Sequence, residues 1–387
     1  MTDGGNIAMM NLAESLSSQG AAIKIFTLNT VKHRIDVNTI PSDIIKKFSL
    51  ESVNIDTTVK IASAITNLFT QNSYNVDRFY SASFDEKLRK LLQSSSFDII
   101  LVESIFMTPY IKCIRENSKA KVVLRAHNVE HIIWQRLTKS EKNIFLRPYL
   151  SLLTRRLKKY ELGIMNKVDA ILPITPDDEK LFRDLGCKVP MHVTPVGVDL
   201  KEYSNQINEQ NEISLFHLGS MNWMPNLEGV TWFLEDCLPV VRKKFPELKL
   251  FLAGRGFPDS IPRDAPTNVI CEGEIADAKQ YMDGKQIMIV PLKSGGGMRV
   301  KIIQGMALGK TIISTTIGAE GIHHTNGKNI LIADSPNEFL MQIEKCISNP
   351  PFCFSIGREA RELVSKEYSN EAIGKEVNNF LEKILSV

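Results

Sequence analysis

No two cysteines stand in a CxxC pair. The six that exist, Cys113, Cys187, Cys237, Cys271, Cys346 and Cys353, are scattered over 387 residues. That spacing argues against a zinc site or a disulfide framework and fits a reducing cytoplasm. One-sided charge is missing too: 47 Lys and Arg against 44 Asp and Glu leave +3. So small a surplus gives no case for nucleic acid, and the 3 Trp and 8 Tyr do not interleave with basic runs. No apolar run is long enough to span a bilayer, and the first residues carry no signal-peptide pattern. Peripheral contact with a membrane surface stays open. With 43% hydrophobic and 24% charged residues, the chain reads as a soluble globular protein of two or three domains.

A further absence lies at the start. Residues 1–5 read as a glycine turn, residues 6–18 as an amphipathic helix with Ile7, Met10, Leu12 and Leu16 inward, and 22–28 as a strand. A glycine loop followed by a helix and a strand normally has a strand before it, and here none precedes the loop. The expectation is an N-terminal sheet without its first, central strand, with unpaired backbone groups and a gap in the core. A chain that truly starts here is expected to be less stable and weakly active or inactive.

What is present is alternation. Strands are expected at 97–102, 121–124, 169–173 and 192–195, with helices at 59–69, 85–92, 108–117, 143–165 and 175–185. Thr175-Pro176-Asp177 is a strong helix start. The polar run 204–212 is the linker candidate. The pattern restarts with strands at 214–218, 248–253, 269–272, 287–292, 311–314 and 330–333. Helices are expected at 225–233, 238–244, 276–282, 298–308, 336–348, 355–367 and 370–385. Short, wholly apolar strands between helices signal parallel sheets covered on both faces. The fold class is α/β: two doubly wound, Rossmann-like domains facing a cleft. Residues 1–198 form the first domain and 199–368 the second, and a last helix at 369–387 crosses back to the first.

The chain is organised around residues 291–321, PLKSGGGMRVKIIQGMALGKTIISTTIGAEG. Gly295, Gly296 and Gly297 separate a strand from a helix that opens with Met298, Arg299 and Lys301. Backbone N–H groups of such a loop, a helix N-terminus and two cations make a site for phosphate or diphosphate. The plainer alternative is a simple turn with two solvated cations.

Taken together, the motifs resemble those of a retaining glycosyltransferase of family 4, with the two-domain GT-B fold. The carrying segments are DGGNIAMMNLAESLSSQG near the start, RAHNVEH at 125–131, TPVGVD at 194–199, LGSMNWMPN at 218–226, LAGRG at 252–256, EGEIAD at 272–277 and residues 291–322. The resemblance covers nearly the whole chain. It implies a nucleotide diphosphate sugar as donor, a glycan or lipid-linked acceptor hydroxyl, no cofactor and no metal. It implies that Arg299 and Lys301 hold the diphosphate and that His127 meets the donor sugar. Gly4 and Gly5 match the loop that acceptor and phosphate approach. Gly219 and Ser220 match the nucleotide loop, and Gly254 and Arg255 lie near base or diphosphate. Thr316, Gly318 and Glu320 match the loop near diphosphate and sugar.

The chain departs from the family in one motif. Of two glutamates eight positions apart, the ribose-binding one falls on Gln304 and the sugar-binding one on Gly296. Gln can still bond a hydroxyl pair; glycine offers no side chain. An alternative reading is therefore a catalytically impaired nucleotide-sugar-binding member or partner subunit. A dehydrogenase would need a GxGxxG loop after a first strand, which the glycine stretches do not supply. Arg255 reads either as a diphosphate ligand or as a carbonyl cap, Trp223 as packing rather than stacking on a base, and Glu130 and His131 as helix-start residues. Glu103 is a weak cleft candidate. The basic face at Arg155, Arg156, Lys158 and Lys159 reads as solvated, or as a contact for anionic lipid.

Overall fold

The computed structural model describes residues 4–31, 36, 39–58, 66–68, 70–141, 143–203, 213–257 and 268–386. The chain divides into two compact units: residues 3–195 with 374–387, and residues 196–373.

The first unit runs α1 (Gly4–Ser18), β1 (Phe26–Thr30), α2 (Ser42–Lys47), β2 (Glu51–Ile55), α3 (Tyr74–Asp77), α4 (Ala82–Ser94), β3 (Ile99–Glu103), α5 (Ile111–Asn117), β4 (Lys121–Ala126), α6 (Glu130–Ser140), α7 (Leu146–Ile164), β5 (Ala170–Pro173) and α8 (Pro176–Asp184). All its strand pairs are parallel, in two separate sheets, β1–β2 and β3–β4–β5. No described strand bonds to both, in keeping with the expectation of a sheet that lacks a central strand. Gly4 and Gly5 already belong to α1 and do not form a turn before it. The helix expected at 143–165 starts at Leu146. The strand expected at 192–195 is not one: residues 190–194 bond along β5 through Ile171, His192 and Thr194, but Pro190 and Pro195 lack the N–H a ladder needs. The helix start at Thr175 holds, its hydroxyl accepting from Asp178 N at 3.0 Å. The linker candidate and most of the helix expected at 59–69 lie outside the described residues.

The second unit runs β6 (Leu215–Leu218), α9 (Met224–Trp232), α10 (Leu238–Lys244), β7 (Leu250–Ala253), β8 (Val269–Gly273), α11 (Ala278–Met282), β9 (Ile287–Val290), α12 (Val300–Ala307), β10 (Thr311–Ser314), β11 (Leu331–Ile332), α13 (Pro336–Ser348) and α14 (Pro350–Leu363). Helix α15 (Asn370–Leu385) follows. The six strands are parallel in the order β8–β7–β6–β9–β10–β11. Chain order therefore reverses between β6 and β9. In doubly wound sheets that point is where the loops after two neighbouring strands diverge and leave a crevice. Two apolar clusters cover the sheet, one containing Ile302, Ile303 and Met306, the other Phe233, Phe339 and Ile343. They keep β6 and β9 buried and aim their loops at that crevice.

Candidate active site

In the second unit the loops after β6, β7 and β9 converge. A Cβ on Gly254, whose φ is +145°, would overlap the Gly219 carbonyl oxygen, so these loops touch only because residue 254 is glycine. A Cβ on Gly219 would meet Lys301 Nζ and the Asn226 amide. Asn226 is buried and works from both ends. Its Nδ2 donates to Ser220 O at 2.9 Å, and its Oδ1 accepts from Lys301 Nζ at 3.2 Å. The loop Gly295–Gly297 needs positive φ at both ends, +114° and +78°. Helix α12 begins at Val300, two residues later than the sequence suggests, with Arg299 as its N-cap. Arg299 is buried. Its Nη1 donates to the Gly296 and Gly297 carbonyls, and its guanidinium lies 5.1 Å from the Trp223 ring. The sequence-based expectation turns the loop N–H groups toward an anion; here two of the loop carbonyls face the guanidinium. Met298 is half-buried and packs on the core.

The electrostatics here are unbalanced. Burial, and then repulsion from Arg299, lowers the Lys301 ammonium to about 7. Among the described residues Lys301 makes no ion pair. His217, fully buried on β6, donates Nδ1–H to Ile289 O at 3.0 Å. Burial and then the nearby Lys301 push it down to about 3, so it stays neutral.

Other predicted residues are engaged elsewhere within this unit. Arg255 pairs with Glu274 at 2.6 Å and is half exposed. Thr316 donates N–H and hydroxyl to Asp334 at 2.7 and 2.6 Å. The Gln304 side chain bonds Tyr203. Gly318 has no room for a Cβ beside Ser314 Oγ and the Val290 carbonyl, and the Glu320 N–H donates to Ile317 O at 3.3 Å.

The first unit holds the other cluster. Glu103 ends β3, opposite Arg125 on β4. Its Oε1 lies 3.4 Å from Arg125 Nη1 and its Oε2 2.7 Å from His127 Nε2. Arg125 is 1% exposed and also donates from Nη1 to Ala8 O of α1 at 2.9 Å. Burial pushes the Glu103 carboxyl up, but Arg125 and the His127 hydrogen bond outweigh it and hold the group below its ordinary value. Gly5, in the first turn of α1, faces the ring: a Cβ there would lie 3.8 Å from His127 Nδ1. Glu130 and His131 do start a helix. Glu161, buried on α7, accepts from their N–H groups at 3.0 and 3.2 Å and pairs with His131 Nδ1 at 2.5 Å. Burial and then Glu161 push Glu130 up to about 7. A cavity of about 240 Å³, lined by Ser73, Arg156, Lys159 and Tyr160 among others, contains two residues of the basic face and none of the predicted donor-site residues.

Asn226, His217 and the Glu103–Arg125 pair are the site features that sequence reasoning missed or undervalued. Asn226 sat in a motif already singled out. The other residues look like ordinary strand positions until the register is known.

A family model described as Glycosyltransferase Family 4 matches residues 2–202. One described as Glycosyl transferases group 1 matches residues 212–349. The chain is 25% identical over 297 residues to an uncharacterized 44.6 kDa protein in the cps region of Klebsiella pneumoniae, covering 74% of this chain and 75% of that one. Its fold is similar to sucrose-phosphate synthase from Thermosynechococcus elongatus, with a TM-score of 0.69 at 15% identity, over 98% of this chain and 93% of that one. It is also similar to Anabaena HepE, solved with UDP and glucose, with a TM-score of 0.66 at 12% identity, over 99% and 96% of the two chains.

Proposed function

The chain belongs to glycosyltransferase family 4, and from that premise we propose that it transfers a sugar from a nucleoside diphosphate sugar to a hydroxyl of a glycan or lipid-linked acceptor, with retention and without a metal. The carrying observation is Lys301. A desolvated cation beside a second cation, with no ion-pair partner among the described residues, is held at a cost that a bound diphosphate would repay. Diphosphate would take the place of the Gly296 and Gly297 carbonyls on the Arg299 fork. As the sugar–phosphate bond breaks, the negative charge growing on the leaving oxygen meets both cations, which is the work a metal ion does elsewhere. Retention fits a same-face attack, in which the leaving phosphate oxygen takes the acceptor proton.

Thermal shift against a panel of nucleotides and nucleotide sugars tests this. One nucleoside diphosphate should raise Tm in the wild type and not in Arg299→Ala. No shift with any of them would sink the donor-site reading. Gly296, which leaves the sugar-binding position without a side chain, favours a second reading as an impaired binding member. Donor hydrolysis separates the two: a dead binder retains the nucleotide sugar intact.

The acceptor side of the proposal includes the membrane. Residues 132–160 carry eight Lys and Arg and one acid. Ile144 and Phe145, between α6 and α7, are 74% and 86% exposed. An exposed apolar tip flanked in sequence by Lys139 and Arg147 suits an anionic bilayer surface. Co-sedimentation with phosphatidylglycerol vesicles, absent with phosphatidylcholine alone and lost in Ile144→Ser/Phe145→Ser, is the expected result. Equal recovery with both lipids, or in the variant, refutes it.

A further inference from the structure

His127 presents two ring nitrogens with different surroundings. Nε2 faces the Glu103 carboxylate at 2.7 Å. Among the described residues Nδ1 has no hydrogen-bond partner, and its neighbour is Gly5, which puts no side chain against it. A carboxylate only accepts, so Nε2 carries the hydrogen. The neutral ring then shows a lone pair at Nδ1.

The surroundings of Glu103 look built to keep this so. Arg125 is buried and has only donors to offer, so it claims one carboxylate oxygen and leaves the other for His127. The next residue, Ser104, sits at φ +79° and ψ +152°, a region that side-chain-bearing residues rarely enter. It is held there by its N–H donating to Arg125 O at 3.0 Å and its hydroxyl accepting from Phe106 N at 3.4 Å. Backbone strain of this kind persists where the neighbourhood overdetermines it, and it collects at functional sites.

We propose that Glu103 is a positioning residue: it fixes His127 with hydrogen on Nε2 and presents the Nδ1 lone pair, on the Gly5 side, to a hydroxyl of the sugar being transferred. The assignment of a sugar to this ring rests on the transferase reading above; the tautomer does not. His127 thereby selects a hydroxyl that donates, and Glu103 sets that selection without touching substrate.

Glu103→Gln tests it sharply. Arg125 can donate only to the amide oxygen, so the amide NH₂ turns to His127. Nε2 must then accept, and the hydrogen moves to Nδ1. The ring would show the sugar a donor where the wild type shows an acceptor.

The measurement is ¹⁵N NMR of the histidine rings in the intact protein, with His127→Ala assigning the signal, at a pH where the ring is neutral. The wild type should have hydrogen on Nε2 and Glu103→Gln on Nδ1. A wild type with hydrogen on Nδ1, or an unchanged ring in the variant, overturns the proposal even if no transfer is ever detected. Where transfer is measured, Glu103→Gln should lower kcat about 30-fold with KM for the nucleotide sugar within threefold. It should cost no more than threefold in a His127→Ala background. An equal loss in that background would mean that Glu103 acts through the fold instead.

Discussion

The two clusters treat charge in opposite ways. Around His127 an acid is already present: Glu103 lies between Arg125 and His127 and stays ionised despite burial. Around Lys301 there are two cations, and burial, then repulsion from Arg299, brings Lys301 down to about 7. In the first cluster the carboxylate is already paired before any ligand arrives, so its geometry is fixed in advance. The second is left in deficit, so stability is sacrificed there, and under the proposed function a bound diphosphate would restore it. Preorganised orientation and stored binding energy are separate devices, and this chain places one in each unit.

The comparison breaks most visibly by removing one charge from each cluster. Glu103→Ala leaves Arg125 as a buried cation without its acid and should destabilise the protein by about 3 kcal/mol. Lys301→Met should do the reverse: without a ligand it should gain roughly 3 kcal/mol at pH 7, since a lysine lowered from 10.5 to about 7 is held at that order of cost. Urea unfolding of the two variants reads both signs, and two losses would erase the contrast. The same Lys301→Met change should weaken nucleoside diphosphate binding about 100-fold. The pH dependence follows. A bound diphosphate needs Lys301 protonated, so wild-type affinity should fall up to tenfold per pH unit above about 7, and Lys301→Met should be flat. Titration calorimetry from pH 6 to 9 checks the slope.

Much of this was readable before any coordinates. The second unit was legible nearly strand for strand, because its strands are continuous apolar runs between well-marked helix starts such as Ser335-Pro336. The loop 295–297 and its two cations stand out in the residue order, as three glycines between an apolar run and a helix. Three things were not legible. Which of the first unit's strands pair with which within each piece of the sheet depends on pairings that apolar runs do not specify. The Arg299 contact with loop carbonyls depends on φ at Gly295 and Gly297. Glu103 seemed a weak candidate because its partners lie 22 and 24 residues away, and only the parallel register of β3 on β4 sets them side by side.

A third variant sharpens the contrast within the first unit. Glu130 is raised to about 7 by burial and then by Glu161, so it shares a helix start with an acid and lacks the cation that Glu103 has. The folded state binds a proton there that the unfolded state has lost above about pH 4.5. Stability from this group is therefore present below pH 4.5 and lost as pH rises to 7. Glu130→Gln should be close to neutral at pH 4.5 and should stabilise by roughly 2 kcal/mol at pH 8. Thermal unfolding at the two pH values decides it, and an equal Tm gain at both would refute the assignment.

The smallest effect tests whether the first cluster is preorganised at the expense of its backbone. Ser104 stands at φ +79° directly after Glu103. Ser104→Gly relieves a strain of about 1–3 kcal/mol and gives back about 0.5–1 kcal/mol through the freer unfolded chain, for a net gain of about 1 kcal/mol. The variant also loses the hydroxyl that accepts from Phe106 N. If the strain merely tolerates a tight turn, the variant should be more stable and equally active. If it holds Glu103 against His127, added stability should come with a lower kcat and a His127 ring no longer held to one tautomer. Stability and orientation moving in opposite directions would identify the strain as part of the site, because no loss of packing makes a protein more stable and less active at once.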